Sequence, residues 1–250
     1  MSEFETFSAS QIASLKKGGA ILRACLENTA LLVEPGITTG ELDMTAEKYI
    51  RDHGGKPAFK GYNGFPGTLC TSVNEECVHG VPGKRVLMEG DIISLDCGVL
   101  FDGLYTDACV TLPVGSISPG ARHLIAVSEE ALASAIAMIG PGVRIGDISS
   151  CIEKSVRKGG GGCTPVLSLT GHGLGSSLHQ FPDIPNWGTG GTGASLPEYT
   201  LIAVEPIVSL GSNDVRAGED GWTLSIADHA LSAHSEHTIL VIPEGNIIIA

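Results

Sequence analysis

Residues 91–112, DIISLDCGVLFDGLYTDACVTL, constrain the fold more than any other stretch of the chain. Asp102-Gly103 favours a two-residue hairpin turn, and the flanking runs are strand-like. Pairing across that turn sets Asp96 opposite Cys109. Asp107 lies two residues from Cys109 on the same strand, so it shares that face, while Cys97 points to the other. Asp96 and Asp107 become diagonal neighbours, their Cα atoms roughly 7–8 Å apart. Leu95, Val99, Leu100, Leu104 and Val110 mark the hairpin as largely buried. Two buried carboxylates on one face repel each other and are expensive to desolvate. Three arrangements relieve this: the face is wet, a basic side chain pairs with the acids, or a metal cation holds them.

Further donors lie elsewhere in the chain. Glu205 ends the apolar run Leu201–Val204 and precedes Pro206; Glu236 opens the run that continues to Ile242. Acids at the ends of apolar strands are either exposed strand termini or site residues. His172 and His179 sit in the Gly-rich segment GHGLGSSLH, and His79 precedes a Val81-Pro82-Gly83 turn. A helical H-E-x-x-H zinc motif is absent. Two Asp, two Glu and a His form a hard, mostly oxygen-donor set that suits paired Mn, Fe, Co or Zn better than a Cys-rich zinc site does.

The rest of the chain reads as helices alternating with short strands. Ser8 with Gln11 and Thr38 with Glu41 have capping-box spacing, and Ser118-Pro119 opens a third helix. Ile148, Ile152 and Val156 mark a fourth. PGITTGEL at 35–42 matches PGVRIGDI at 141–148, and Ile50, Arg51, Gly54 and Gly55 fall in register with Val156, Arg157, Gly160 and Gly161. That repeat predicts two similar α+β halves closing around one sheet, with a site at their junction. No linker interrupts residues 1–250, so one domain is expected. Seven cysteines without a C-x-x-C disfavour a disulfide scaffold. A net charge of −13 disfavours nucleic-acid binding through a basic patch. No signal-peptide pattern or apolar run of roughly 18 residues is present, and the expected location is the cytoplasm, away from membranes.

Five segments together resemble the type I, bacterial-type methionine aminopeptidases: NEECVHGVPG at 74–83, LDCGVLFDGLYTDACVT at 95–111, GHGLGSSLHQFPDIPN at 171–186, VEPI at 204–207, and DGWTLSIADHALSAHSEHTILV at 220–241. The resemblance implies the pita-bread fold, α+β, with two pseudo-symmetric halves and helices packed outside a curved, mainly antiparallel β-sheet. It implies two divalent metal ions held by Asp96, Asp107, His172, Glu205 and Glu236, with Asp107 and Glu236 bridging. His79, His179 and Glu205 are the implied catalytic residues: His79 beside the amine and scissile amide, His179 on the substrate carbonyl, Glu205 as proton shuttle. Asn74 and Ser232 match positions that help to hold a monovalent cation, Na or K.

The same resemblance places the methionine side chain among Phe59, Tyr62, Phe65, Cys70, Leu178 and Trp222. Phe59 stands where a cysteine is usual, Phe65 where a tyrosine is usual, Leu178 where a phenylalanine is usual, and Asn63 where a histidine is common. The pocket changes stay apolar. The implied reaction is removal of the initiator methionine from nascent chains with a small second residue, near the ribosome exit and after deformylation, by a monomer. The alternatives are a proline-directed exopeptidase of the same fold and a non-catalytic binding module built on it.

Overall fold

The structure, a computed structural model, describes residues 3–250. Four helices carry the outer layer: α1 (Ala9–Ala30), α2 (Thr39–Asp52), α3 (Pro119–Met138) and α4 (Ile145–Gly159). The first two start at the expected boxes: Ser8 accepts from the Gln11 N–H and Thr38 from the Glu41 N–H, each answered by the N3 side chain. Ser118 caps α3 with Pro119 in the first turn.

Strands β1 (Lys56–Pro57), β2 (Leu69–Val73), β3 (Glu76–Val78), β4 (Ile92–Phe101) and β5 (Leu104–Pro113) belong to the first half. They are followed by β6 (Thr164–Pro165), β7 (Thr170–Gly173), β8 (Gln180–Pro185), β9 (Leu201–Val204) and β10 (Ile207–Ser209). The last are β11 (Val215–Ala217), β12 (Leu224–Ile226), β13 (Ser232–His234), β14 (Glu236–Ile242) and β15 (Gly245–Ile248). The main sheet has nine strands in the order β1-β4-β5-β14-β9-β7-β8, with β2 added to β4 and β15 to β14. Its pairings are antiparallel. Two small sheets, β13-β10-β6 and β11-β12-β3, flank it. This is the pita-bread arrangement, a curved antiparallel sheet backed by helices.

The repeat in the sequence is a repeat in space. The residues preceding α2 and α4, Thr38 and Arg144, have the same backbone angles, φ −94° and ψ 151°. Each forms an isolated antiparallel bridge, Thr38 to Val86 and Arg144 to Ser195. Two apolar cores follow. One packs α1 and α2 on β2, β4 and β5 through Leu22, Leu42, Ile50, Leu95 and Val99. The other packs α3 and α4 on β9 and β14 through Leu124, Ile148, Ile152, Ile202 and Ile239. In the main sheet the halves meet where β5 pairs with β14, a ladder of only Glu236–Cys109 and His237–Ala108. Among the described residues no helix is long and apolar enough to cross a membrane.

Candidate metal centre and active site

The Asp102-Gly103 turn forms with no bulge in the hairpin, and Asp96 faces Cys109 in the β4–β5 ladder. Cys109 in turn faces Glu236, so Asp96, Cys109 and Glu236 form one row across three strands. Asp107 lies opposite Gly98 on the same face. Glu205 follows β9 directly, one step past the Val204–His237 pair, and His172 on β7 pairs with Ala203 on β9. Five adjacent strands, β4, β5, β14, β9 and β7, thus aim Asp96, Asp107, Glu236, Glu205 and His172 at one place, at the junction of the halves.

The chemistry of that place is anomalous without a cation. Asp96, Asp107 and Glu236 are buried, and each has a carboxylate oxygen with no hydrogen-bond partner. No Lys or Arg among the described residues pairs with any of the four acids; only imidazoles approach, at 3.6–3.8 Å. Burial pushes Asp96 up to about 7. It pushes Asp107, Glu205 and Glu236 well above the usual carboxylate range, with the neighbouring acids raising them further. Of the three arrangements the sequence left open, a basic partner is ruled out and a wet face does not fit this burial. A divalent cation fits: ligand atoms of Asp107, His172 and Glu236 lie within 4.8 Å of one another, and so do those of Asp96, His234 and Glu236. His172 is set up to ligate through Nε2, because its Nδ1 lies 3.0 Å from the Gly173 carbonyl oxygen, which fixes the tautomer.

His234 was not among the sequence candidates. It is buried, with Nε2 at 3.8 Å from Glu205 and 3.6 Å from Glu236. The signal was present in SAHSEH: residues two apart on a strand share a face, so His234 points where Glu236 points.

The remaining candidates gather around the same floor. A cavity of about 360 Å³ is lined by the acids, by His79, His172 and His179, and by Phe59, Tyr62, Phe65, Cys70, Leu178 and Trp222. Asn63 also lines it. Phe59, Phe65, Cys70 and Leu178 are buried together, with Tyr62 and Trp222 packed against them. Phe65 and Trp222 meet edge to face at 5.3 Å. Gly98 makes this wall possible, since a Cβ there would come within 2.7 Å of the Phe59 ring. His79 and His179 stand at the solvent-exposed rim, yet the walls around them lower the pKa of both. His79 has a positive φ of 58°, and its carbonyl accepts from the Thr223 hydroxyl at 3.5 Å. The His179 Nδ1 lies 3.2 Å from the Tyr62 hydroxyl, and its ring centre is 4.3 Å from that of His172. Cys70 is no nucleophile: burial, then the charge of Asp96, raises its thiol well above the ordinary value. Asn74 and Ser232 meet through a hydrogen bond from the Ser232 N–H to the Asn74 carbonyl, 2.8 Å.

Comparison with known proteins agrees with this geometry. Residues 13–243 match the model of metallopeptidase family M24. The chain is 43% identical over 235 residues to a methionine aminopeptidase of Clostridium perfringens, covering 94% of each. It superimposes on the crystal structure of methionine aminopeptidase from Thermotoga maritima with a TM-score of 0.96, at 41% identity over 99% of both chains. The enzyme from Rickettsia prowazekii gives the same TM-score at 33% identity and 99% coverage of both. With the five candidate donors on adjacent strands and an apolar cavity above them, the chain belongs to metallopeptidase family M24, among its type I methionine aminopeptidases.

Proposed function

We propose that the chain hydrolyses the first peptide bond of polypeptides that begin with methionine and have a small second residue. One observation carries this reading. A single cavity has an apolar end of Phe59, Phe65, Cys70, Leu178, Tyr62 and Trp222 and a floor of four carboxylates that no Lys or Arg neutralises. An unbranched thioether suits the first and a pair of cations suits the second.

Asp96, Asp107, His172, Glu205 and Glu236 would hold two divalent ions. Divalent ions in such a site supply a Lewis acid for the scissile carbonyl and acidify a water near neutral pH. Glu205 takes the proton of the attacking water and hands it to the leaving amine. His179, steadied by Tyr62, donates to the carbonyl oxygen as negative charge develops there. His79, held at the rim by its strained backbone and the Thr223 contact, orients the scissile amide. Mn, Fe, Co and Zn all accept the donor set, and Asn74 with Ser232 would bind Na or K.

Beside the first cavity lies a second of about 380 Å³, which shares His79, His172, His179 and Glu205 with it. The substrate beyond the scissile bond leaves through it. Gly171 packs its backbone so closely on β9 that a Cβ would meet the Ala203 carbonyl at 2.4 Å. A large second side chain would displace the scissile bond, and about 1 Å of misplacement costs on the order of a hundredfold in rate. The cellular substrates are nascent chains near the ribosome exit, already deformylated, met by a cytoplasmic monomer.

The test is kcat/KM for Met-Ala-Ser, Met-Gly-Ser, Met-Lys-Ser, Met-Leu-Ser and an Xaa-Pro peptide at fixed metal loading. The first two should exceed the others by on the order of a hundredfold. Equal values, or cleavage of the Xaa-Pro peptide with Met-Ala-Ser left intact, overturn the reading.

A further inference from the structure

His234 is an imidazole with nothing to do. It is only 2% exposed, and neither ring nitrogen has a hydrogen-bond partner. A buried ring with both polar atoms unmatched is destabilising unless something else occupies them. Its backbone, by contrast, is held firmly. The His234 N–H donates to the Thr111 hydroxyl oxygen at 2.9 Å, and that hydroxyl donates to the His234 carbonyl at 2.7 Å. The ring is thereby delivered to the carboxylate floor, with Nε2 at 3.6 Å from Glu236 and 3.8 Å from Glu205. Both distances are too long for hydrogen bonds. They are the spacing of donors that share one ion: two atoms about 2.1 Å from a cation lie roughly 3.4 Å apart at a tetrahedral angle, and farther apart at wider angles.

We infer that His234 is a metal ligand, so that each ion of the pair has an imidazole of its own. Glu236 belongs to both donor groups: Asp107 and His172 complete one, Asp96 and His234 the other. The inference rests on the metal reading of the site given above and adds a nitrogen to the five-residue set. The two imidazoles are not equivalent. His172 has the Gly173 carbonyl to fix its ring, whereas His234 has no such partner, so the ion beside His234 is the weaker bound of the two. A second nitrogen also moves the centre away from an all-oxygen preference and towards Zn, Fe or Co over Mn.

Cobalt(II), added to the metal-free protein under anaerobic conditions, is the probe. X-ray absorption of the wild-type protein at two equivalents counts imidazoles directly and needs no variant. Two per pair of ions is expected; one per pair overturns the inference. In His234→Gln the count should fall to one, and the second equivalent should bind at least about tenfold more weakly, with a changed visible spectrum. Unchanged affinity at both equivalents with an unchanged spectrum also overturns it, because glutamine can replace a hydrogen bond to a bound water. If the wild type binds no cobalt, the metal reading of the whole site fails, a result distinct from a one-imidazole count in a loaded protein.

Discussion

Asp107 shows how much one side chain can carry in this site. Its backbone is locked to β14, the N–H donating to the Thr238 hydroxyl oxygen at 2.8 Å and the carbonyl accepting from that hydroxyl at 2.6 Å. The carboxylate is therefore placed by the strand and not by its own side-chain bonds. Asp107→Asn should fold, because the amide is nearly isosteric and relieves repulsion with Asp96 and Glu205. It should lose most of its metal and on the order of a thousandfold or more in kcat/KM; His179→Ala should keep its metal and lose turnover by on the order of a hundredfold. Metal analysis beside peptide kinetics separates the two, and equal metal loss in both would dissolve the distinction drawn between them. At this scale much was legible in the sequence. Asp96 and Asp107 follow from turn chemistry and side-chain alternation, whereas Glu205 and His172 needed the family pattern, because nothing local says which strand will lie beside β14. His234 escaped because the strand breaks at Ser235 between β13 and β14, and its parity with Glu236 counts only once both are known to face the floor.

Among the elements, the β4–β5 hairpin sets the geometry of the pocket as well as the acids. Gly98 lies on the cavity face two residues from Asp96 and opposite Asp107. Gly98→Ala would bring its methyl carbon within 2.7 Å of the Phe59 ring and 2.8 Å of the Ala58 Cβ. Overpacking of this kind costs about 1–3 kcal/mol. The expected result is a Phe59 ring driven into the cavity, a KM for Met-Ala-Ser raised by roughly tenfold, and unchanged metal content. Steady-state kinetics with metal analysis checks it. The helices were the most legible elements, since capping boxes at Ser8 and Thr38 and the Ser118-Pro119 start are local chemistry. The two small sheets were not. Strands of three residues such as β3, β12 and β13 carry no periodicity of their own and exist through their partners.

Across the whole molecule, the buried acids and buried histidines oppose one another in their effect on stability with pH. In the metal-free folded state Asp96 holds its proton up to about 7, and burial with mutual repulsion shifts Asp107, Glu205 and Glu236 in the same direction, whereas the unfolded chain releases these protons near its ordinary carboxylate values. Stability from this source falls as pH rises. His172 and His234, both lowered to about 3 by burial, stay neutral when folded and gain a proton on unfolding below about 6.5, so they reduce stability as pH falls. Above 6.5 the histidines no longer contribute and the acids act alone. The metal-free protein should therefore lose Tm as pH rises past 6.5, by about 1.4 kcal/mol per pH unit for each proton still held. The loaded protein should not, because metal binding displaces those protons. Differential scanning calorimetry with and without chelator measures both.

Within the main sheet the junction between the halves is narrow: β5 and β14 share two backbone pairs and the Thr238 clasp on Asp107, while the β3–β12 pairing and the Thr111–His234 bonds cross it outside that sheet. Asp96 and Asp107 come from one side of it and His172, Glu205 and Glu236 from the other. Ions held among them would act as rivets across this narrow part of the seam. A metallated molecule should be stiffer at β5–β14 than a stripped one. Amide exchange at Asp107–Cys109 and Glu236–Thr238 should then quicken on chelation, while the interiors of α2 and α4, each seated on its own core, keep their protection. The cavity lies across the seam, lined by Phe59, Phe65 and Cys70 from the first half and by Leu178 and Trp222 from the second, so a bound substrate would brace the two halves against each other just as the ions do.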